Sequence, residues 1–133
     1  MSFAKDYAFG KLKENTILSK LRKYFNDDTI YQTDNFCKYD FGSKISNRKI
    51  EQKSRKNFYS TYPTTLIPED KLGKDITLVF SFKDGDYFID YDEEKFKTFE
   101  KKIFCRDYRS DFIDMPKPYV YIPINELSKI EIN

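Results

Sequence analysis

Asp40, Glu51 and Lys53 are the side chains of this sequence whose types and spacing best suit chemistry on a phosphate ester. The chain of 133 residues contains no His, which excludes His-based acid–base and nucleophile pairs and nearly every ordinary zinc site. Catalysis would therefore have to use carboxylates, lysine, hydroxyl groups and a hard metal ion. Cys37 and Cys105 are isolated thiols, which we expect to be reduced and partly buried rather than joined in a disulfide.

One hairpin register brings the two carboxylates together. If Lys44–Asn47 forms the loop, Asp40 lies opposite Glu51, and opposed residues project to the same face with Cβ atoms about 5 Å apart. Lys53 shares that face with Glu51 because side chains alternate along a strand. The apolar residues of both strands then fall on the other face, where they can pack on a core: Tyr39, Phe41 and Ile50.

A divalent cation would resolve the repulsion between two carboxylates held this close. Mg²⁺, or Mn²⁺ in its place, suits such a site because it binds through one or two acidic groups and keeps several waters. Lys53 would then orient the attacking water or stabilise charge on a phosphate. Glu14 falls near the middle of an apolar helical stripe. It either projects toward the same cluster to find a partner or is exposed near the start of that helix.

Basic and aromatic side chains lie within the hairpin and in the segment after it, and they fit contacts with a phosphate backbone or with bases. The candidates are Lys44, Arg48, Lys49, Arg55, Lys56, Tyr62 and Lys71, with Arg106 and Arg109 in a second segment. Each of them also fits an ordinary solvated or packed position. The net charge is only +2, so the whole molecule is not an evident binder of polyanions.

The pattern of apolar residues and turn signals predicts one α/β domain over residues 1–133, of the α+β type with a mixed central sheet. The expected helices and strands, in order, are a helix at Tyr7–Phe25, a meander of Thr29–Thr33, Cys37–Gly42 and Arg48–Arg55, a hairpin of Ile76–Lys83 and Tyr87–Tyr91 around Asp84-Gly85, a helix at Asp92–Ile103, and a strand at Tyr119–Pro123. The remaining segments are expected as a proline-interrupted loop (Asn57–Lys74), an irregular stretch (Arg106–Pro118) and a short terminal helix or turn (Asn125–Ile130).

The N-terminal residues contain no apolar signal region, and no apolar run is long enough to cross a bilayer. We therefore expect no membrane association and an intracellular location, cytoplasmic or nuclear.

Residues 7–56 resemble the PD-(D/E)xK nuclease superfamily, which has the restriction-endonuclease-like fold. The residues that carry the resemblance are Asp40, the triplet Glu51-Gln52-Lys53 and Glu14. It implies that Asp40 and Glu51 bind the metal, assisted by the Gln52 carbonyl and by Glu14, while Lys53 acts on the attacking water. Tyr39 stands at the proline position of the motif, and a proline-interrupted segment follows where the family usually has a helix.

The resemblance implies a restriction-endonuclease-like core and a Mg²⁺-dependent nuclease that hydrolyses DNA, of the endonuclease or junction-resolvase type. Many members act as dimers, so a homodimer is also an expectation. The alternative is a nucleic-acid-binding or assembly subunit that retains the nuclease fold without cleavage. A small interaction protein with a charged surface hairpin is the third interpretation.

Overall fold

Two β-sheets pack against each other in the computed structural model, which describes residues 17–34, 37–104 and 117–131. The larger sheet has the order β1-β2-β3-β5-β6-β9, and the smaller one the order β4-β8-β7. The strands are β1 (Tyr31–Gln32), β2 (Phe41–Gly42), β3 (Lys49–Ser54), β4 (Thr64–Pro68), β5 (Ile76–Phe82), β6 (Gly85–Asp90), β7 (Glu100–Phe104), β8 (Lys117–Pro123) and β9 (Ser128–Lys129).

The helices are few and short. Helix α1 is described over residues 17–24, and α2 spans Glu93–Phe96. Single 3₁₀ turns at Glu69–Lys71 and Ile124–Glu126 follow β4 and β8. None of the helices in the described ranges has the length and apolar content needed to cross a membrane. The architecture is therefore a mixed α+β fold dominated by its sheets, as predicted at that level.

The centre of the larger sheet is the parallel pair β3–β5, while its other neighbouring strands are antiparallel. All seven residues of β5 are buried. A strand this apolar needs cover on both faces, as parallel strands usually have. One face packs on the smaller sheet through an intersheet cluster that includes Leu78, Phe80, Ile67, Val120 and Ile122. The other packs on α1 through a helix-side cluster that includes Ile17, Leu21, Phe41, Ile50 and Val79.

The predicted hairpin register is confirmed where the two strands pair: Phe41 lies opposite Ile50, and Gly42 opposite Lys49. Burying Phe41 and Ile50 in the helix-side cluster excludes any register shifted by one residue. The second predicted hairpin is also confirmed, although its turn lies one residue earlier than expected. Phe82 pairs with Gly85, so Lys83 and Asp84 form the loop.

Several predicted boundaries are wrong. The strand expected at Cys37–Gly42 is irregular up to Asp40. The loop expected at Asn57–Lys74 contains β4, because this segment pairs with β8 and its alternate residues Thr65 and Ile67 are buried. The helix expected at Asp92–Ile103 ends at Phe96, since pairing with β8 extends the chain from Glu100 onward.

Other predictions hold in part. The strand expected at Thr29–Thr33 covers only Tyr31–Gln32, and that expected at Tyr119–Pro123 begins two residues earlier, in the stretch expected to be irregular. The terminal turn is present at Ile124–Glu126, but β9 follows it. Cys37 is an exposed free thiol rather than a partly buried one. Cys105 and residues 7–16 lie outside the described residues.

Asp27 joins the end of α1 to the hairpin loop. Asn26 ends the helix in the left-handed region, with φ of 51°. The Asp27 Oδ1 then accepts from the backbone N–H and the hydroxyl of Thr29 at 2.9 and 2.6 Å, and Oδ2 accepts from the Ser43 hydroxyl at 2.5 Å. These hydrogen bonds, that of Ser43 above all, hold the pKa of Asp27 below its ordinary value.

Candidate functional site

Glu51 is a carboxylate buried in the middle of the larger sheet. It lies opposite Leu78 in the β3–β5 pair, on the face that the smaller sheet covers, and is only 3% exposed. A buried charge needs a partner. Its Oε2 lies 3.1 Å from Nζ of Lys53 and 3.7 Å from Nζ of Lys71. Its Oε1 is buried and has no hydrogen-bond partner within the described part of the chain.

Lys71 reaches this site from the 3₁₀ turn that follows β4. Its Nζ also donates to the Lys38 carbonyl at 3.3 Å, so one ammonium group links the turn, the segment before β2 and β3. The side chains of Lys53 and Lys71 remain 33% and 30% exposed. The two cations therefore lie between the buried carboxylate and solvent. Lys71, one of the predicted nucleic-acid contacts, therefore lies beside the Glu51 carboxylate.

Asp40 lies beside β3, but it does not extend the ladder. Its N–H donates to the Ile50 carbonyl at 3.0 Å, while its carbonyl accepts from the Thr33 N–H at 2.9 Å. In a regular antiparallel strand both backbone groups of a residue point to the same neighbour. The predicted ladder pair of Asp40 with Glu51 is therefore absent from the β2–β3 pairing.

The Asp40 side chain nevertheless reaches the strand that carries the motif. Its Oδ2 accepts a hydrogen bond of 2.8 Å from the backbone N–H of Gln52, the residue after Glu51. The irregular backbone before β2 has a second consequence: Tyr39 packs on the intersheet cluster, not beside Phe41 as predicted. The Asp40 carboxylate is thus held against β3 at Gln52 by a side-chain contact rather than by strand pairing.

Gln52 points to the opposite face of the sheet from Glu51. Its side chain is buried, and its Nε2 donates to the hydroxyls of Ser81 at 2.9 Å and Ser54 at 3.1 Å. These contacts satisfy the amide group within the sheet. The metal contact expected of the Gln52 backbone carbonyl stays a prediction.

Among the predicted nucleic-acid contacts, Lys49 and Arg55 share the face of Glu51 by strand alternation. The Lys49 Nζ lies 5.4 Å from the centre of the Tyr39 ring. The Arg55 guanidinium donates to the Thr65 hydroxyl at 3.1 Å. Lys56 is exposed after Arg55.

The other predicted contacts lie farther out or elsewhere. Arg48 is on the opposite face, where its Nη1 donates to the Thr77 hydroxyl at 2.6 Å and to the Asp90 carboxylate at 2.9 Å. Its contact with nucleic acid stays a prediction. Lys44 is exposed in the hairpin loop, 5.6 Å from the centre of the Tyr31 ring. The remaining predicted residues, Glu14, Arg106 and Arg109, lie outside the described residues.

A pocket of about 560 Å³ opens beside Lys53, and its lining includes residues that the sequence-based prediction missed. Lys53, Arg55 and Tyr62 are among its walls, together with Tyr119 and Tyr121 of β8. The alternation of the two tyrosines in Lys117–Pro123 was a usable signal that they share one face of β8, the face opposite to the buried Val120 and Ile122. Nothing in the local sequence indicated that one pocket is lined both by these tyrosines and by residues at the end of β3.

One atom of the site has the chemistry of a Mg²⁺ or Mn²⁺ ligand. A buried carboxylate oxygen without a hydrogen-bond partner, the Glu51 Oε1, is the type of ligand that these ions prefer. No set of three or more His, Cys, Asp or Glu side chains suited to a metal occurs among the described residues. An ion held by Asp40 and Glu51 would therefore depend on waters for the rest of its coordination, as Mg²⁺ commonly does.

Comparisons of this chain with protein-family models, with curated proteins and with solved structures give no match.

Proposed function

We propose that this protein is a Mg²⁺- or Mn²⁺-dependent nuclease that hydrolyses phosphodiester bonds in DNA, with Asp40, Glu51 and Lys53 at its centre. The observation that carries the proposal is the buried Glu51 carboxylate, whose Oε1 has no hydrogen-bond partner in the described residues. Leaving such an atom unsatisfied costs about 1–3 kcal/mol, and more for a charged group. Native proteins keep few of these atoms, and a catalytic or ion-binding role is one reason to keep one.

A bound Mg²⁺ would supply positive charge to the phosphate and lower the pKa of the attacking water. Asp40 and Glu51 would hold the ion. Lys53, whose ammonium is fixed 3.1 Å from the Glu51 Oε2 and still reaches solvent, would bind a phosphate oxygen or orient the water. Lys71 would add positive charge on the solvent side of the same carboxylate.

The restriction-endonuclease-like core is part of this proposal. Helix α1 followed by the antiparallel meander β1-β2-β3, with β5 parallel to β3, supports it. The connection from β3 to β5 contains β4 where the family usually has a helix. Metal contact by Glu14, an intracellular location and a homodimer stay predictions.

A cleavage assay tests the activity. Labelled single-stranded, duplex and branched DNA would be incubated with MgCl₂, with MnCl₂ and with EDTA. We expect cleavage only with the divalent ions, and a loss of at least about 100-fold in Asp40→Asn, Glu51→Gln and Lys53→Ala. Circular dichroism would verify that each variant is folded.

The matched controls are Glu94→Gln and Lys97→Ala, which remove an exposed pair with an Nζ to Oε1 distance of 3.5 Å on α2. Both should cleave like the wild type. Cleavage in EDTA, or full activity in both Glu51→Gln and Lys53→Ala, would overturn the proposal.

A second function, nucleic-acid binding without cleavage, is favoured by two contacts. Lys53 and Lys71 both approach the Glu51 Oε2, so part of the buried charge is compensated without a metal. Under this alternative the chain binds DNA equally well in EDTA and in MgCl₂ and cleaves none of the three substrates.

A further inference from the structure

The pocket beside Lys53 lies where the end of β3 meets β4 and β8. Its volume of about 560 Å³ falls within the roughly 300–1,000 Å³ of pockets that hold small organic ligands. Side chains from all three strands line it, among them Lys53, Thr64 and Tyr121, and Arg55 joins them directly after β3. Because Lys53 both lines the pocket and contacts Glu51, a ligand here would lie next to the proposed cleavage site.

The charge of the lining favours an anion. As far as the structure describes it, the lining has two cationic residues, Lys53 and Arg55, and no acidic one. A second pocket of about 850 Å³ has a mixed lining, with the acidic residues Asp75, Asp90 and Glu93 beside the cationic residues Arg48 and Lys74. The pocket beside Lys53 would therefore attract a phosphate group more strongly than the mixed one.

The aromatic residues of the pocket favour a planar group beside that anion. The Tyr59 ring stacks on Tyr87 with ring centres 4.1 Å apart, and its hydroxyl donates to the Ile124 carbonyl at 2.8 Å, so two contacts fix the position of this ring. Tyr62 is 60% exposed at the mouth and makes no ring contact with the described residues. Stacking of bases on exposed aromatic rings beside a cationic groove is the usual means of holding single strands.

We propose that this pocket binds an unpaired nucleotide of single-stranded DNA, with the base on Tyr62 and Tyr121 and the phosphate toward Lys53 and Arg55. This assignment rests on the proposed function in that DNA strands with unpaired bases would be the substrates of the proposed cleavage site. In a duplex both faces of each internal base are already stacked. Single strands and displaced strand ends are therefore bound in preference to blunt duplex.

The test measures binding in EDTA, so that it does not depend on cleavage. The probes are a fluorescent oligothymidylate, a blunt duplex of the same length and free thymidine 5′-monophosphate. We expect the single strand to bind more tightly than the other two. Tyr62→Ala and Tyr121→Ala should each weaken its binding by roughly 5- to 150-fold, the range for loss of one base–aromatic stack.

Tyr62→Phe should bind like the wild type, because it keeps the ring. Phe58→Ala is the matched control: Phe58 is 53% exposed on the same loop and does not line the pocket. Unchanged binding in Tyr62→Ala, an equal loss in Phe58→Ala, or duplex bound as tightly as single strand would overturn the assignment. Free nucleotide bound as tightly as the strand would also overturn it. If the predicted pattern of binding is found and no cleavage occurs, the nuclease proposal fails and this one stands.

Discussion

The ammonium group of Lys53 lies 3.1 Å from the Oε2 of Glu51, and both side chains project from β3 toward the smaller sheet. Glu51 is almost fully buried, whereas Lys53 is one-third exposed along its side chain. The pair thus joins a desolvated carboxylate to a cation that solvent and ligands can reach. Charges in such a partly dehydrated place interact more strongly than surface charges.

Divalent ions should stabilise the fold through Glu51. A ligand that binds only the folded chain raises the free energy of unfolding by RT ln(1 + [L]/Kd), which is about 2.7 kcal/mol at a ligand concentration of 100 Kd. We expect Mg²⁺ or Mn²⁺ to raise the urea midpoint of the wild type, with a gain in the free energy of unfolding that approaches this value. The urea midpoint of Glu51→Gln should not change. KCl at equal ionic strength is the control. A similar gain in both proteins would contradict metal binding at Glu51.

Replacing Lys71 should tighten divalent binding. Its Nζ lies 3.7 Å from the Glu51 Oε2, so Lys71→Ala removes a cation that opposes a second positive charge. The side chain is 30% exposed and therefore partly screened, and we expect a tightening on the order of 2- to 5-fold. Calorimetric titration with MnCl₂ measures it. Lys74 is an exposed lysine nearby in the chain, and Lys74→Ala should leave the Mn²⁺ affinity unchanged. Equal affinities in all three proteins would be evidence against the effect of the Lys71–Glu51 contact on metal binding.

Asp27 should make stability depend on pH in the acid range. Hydrogen bonds from Ser43 and Thr29 hold its pKa in the folded chain below 3.8, the ordinary value of an aspartate side chain. Its contribution is therefore fully present above that value and is lost as the pH falls through the lower pKa of the folded state. Asp27→Asn should be less stable than the wild type at pH 7, and the gap should narrow on acidification.

Urea unfolding at neutral pH and at a pH below the ordinary pKa of an aspartate side chain measures this difference in the free energy of unfolding. Asp28→Asn, at the exposed neighbouring position, is the control and should follow the wild type. A difference between Asp27→Asn and the wild type that does not change with pH would contradict the assignment.

The intersheet cluster should be the main source of stability. Leu78 is fully buried there, directly across from Glu51. Leu78→Ala should cost about 2–5 kcal/mol because it leaves a cavity. Ile45→Ala, at a position that is 71% exposed in the hairpin loop, should stay within about 0.5 kcal/mol of the wild type. Chemical denaturation measures both, and similar losses in the two variants would contradict the predicted core.

The sequence by itself determined the features that depend on neighbours along the chain. Alternation of apolar and charged residues set the register of Phe41 against Ile50, and it placed Lys53 on the face of Glu51. A period of two is local: each residue faces opposite to the next, whatever the strand packs against. The hairpin between β5 and β6 follows from the same kind of signal, a short turn between two apolar runs.

Only the tertiary structure decided what covers these residues. The segment before β2 leaves the ladder, so Asp40 reaches β3 through its side chain and not through strand pairing. Glu51 is buried because the smaller sheet lies over it, and Lys71 arrives from the turn after β4. The smaller sheet joins β4 to β8, strands distant in sequence, and no local pattern encodes that pairing. The alternation within β3 fits a charged face exposed to solvent equally well. Long-range packing buries Glu51 of this face and places Lys53 and Lys71 beside its carboxylate.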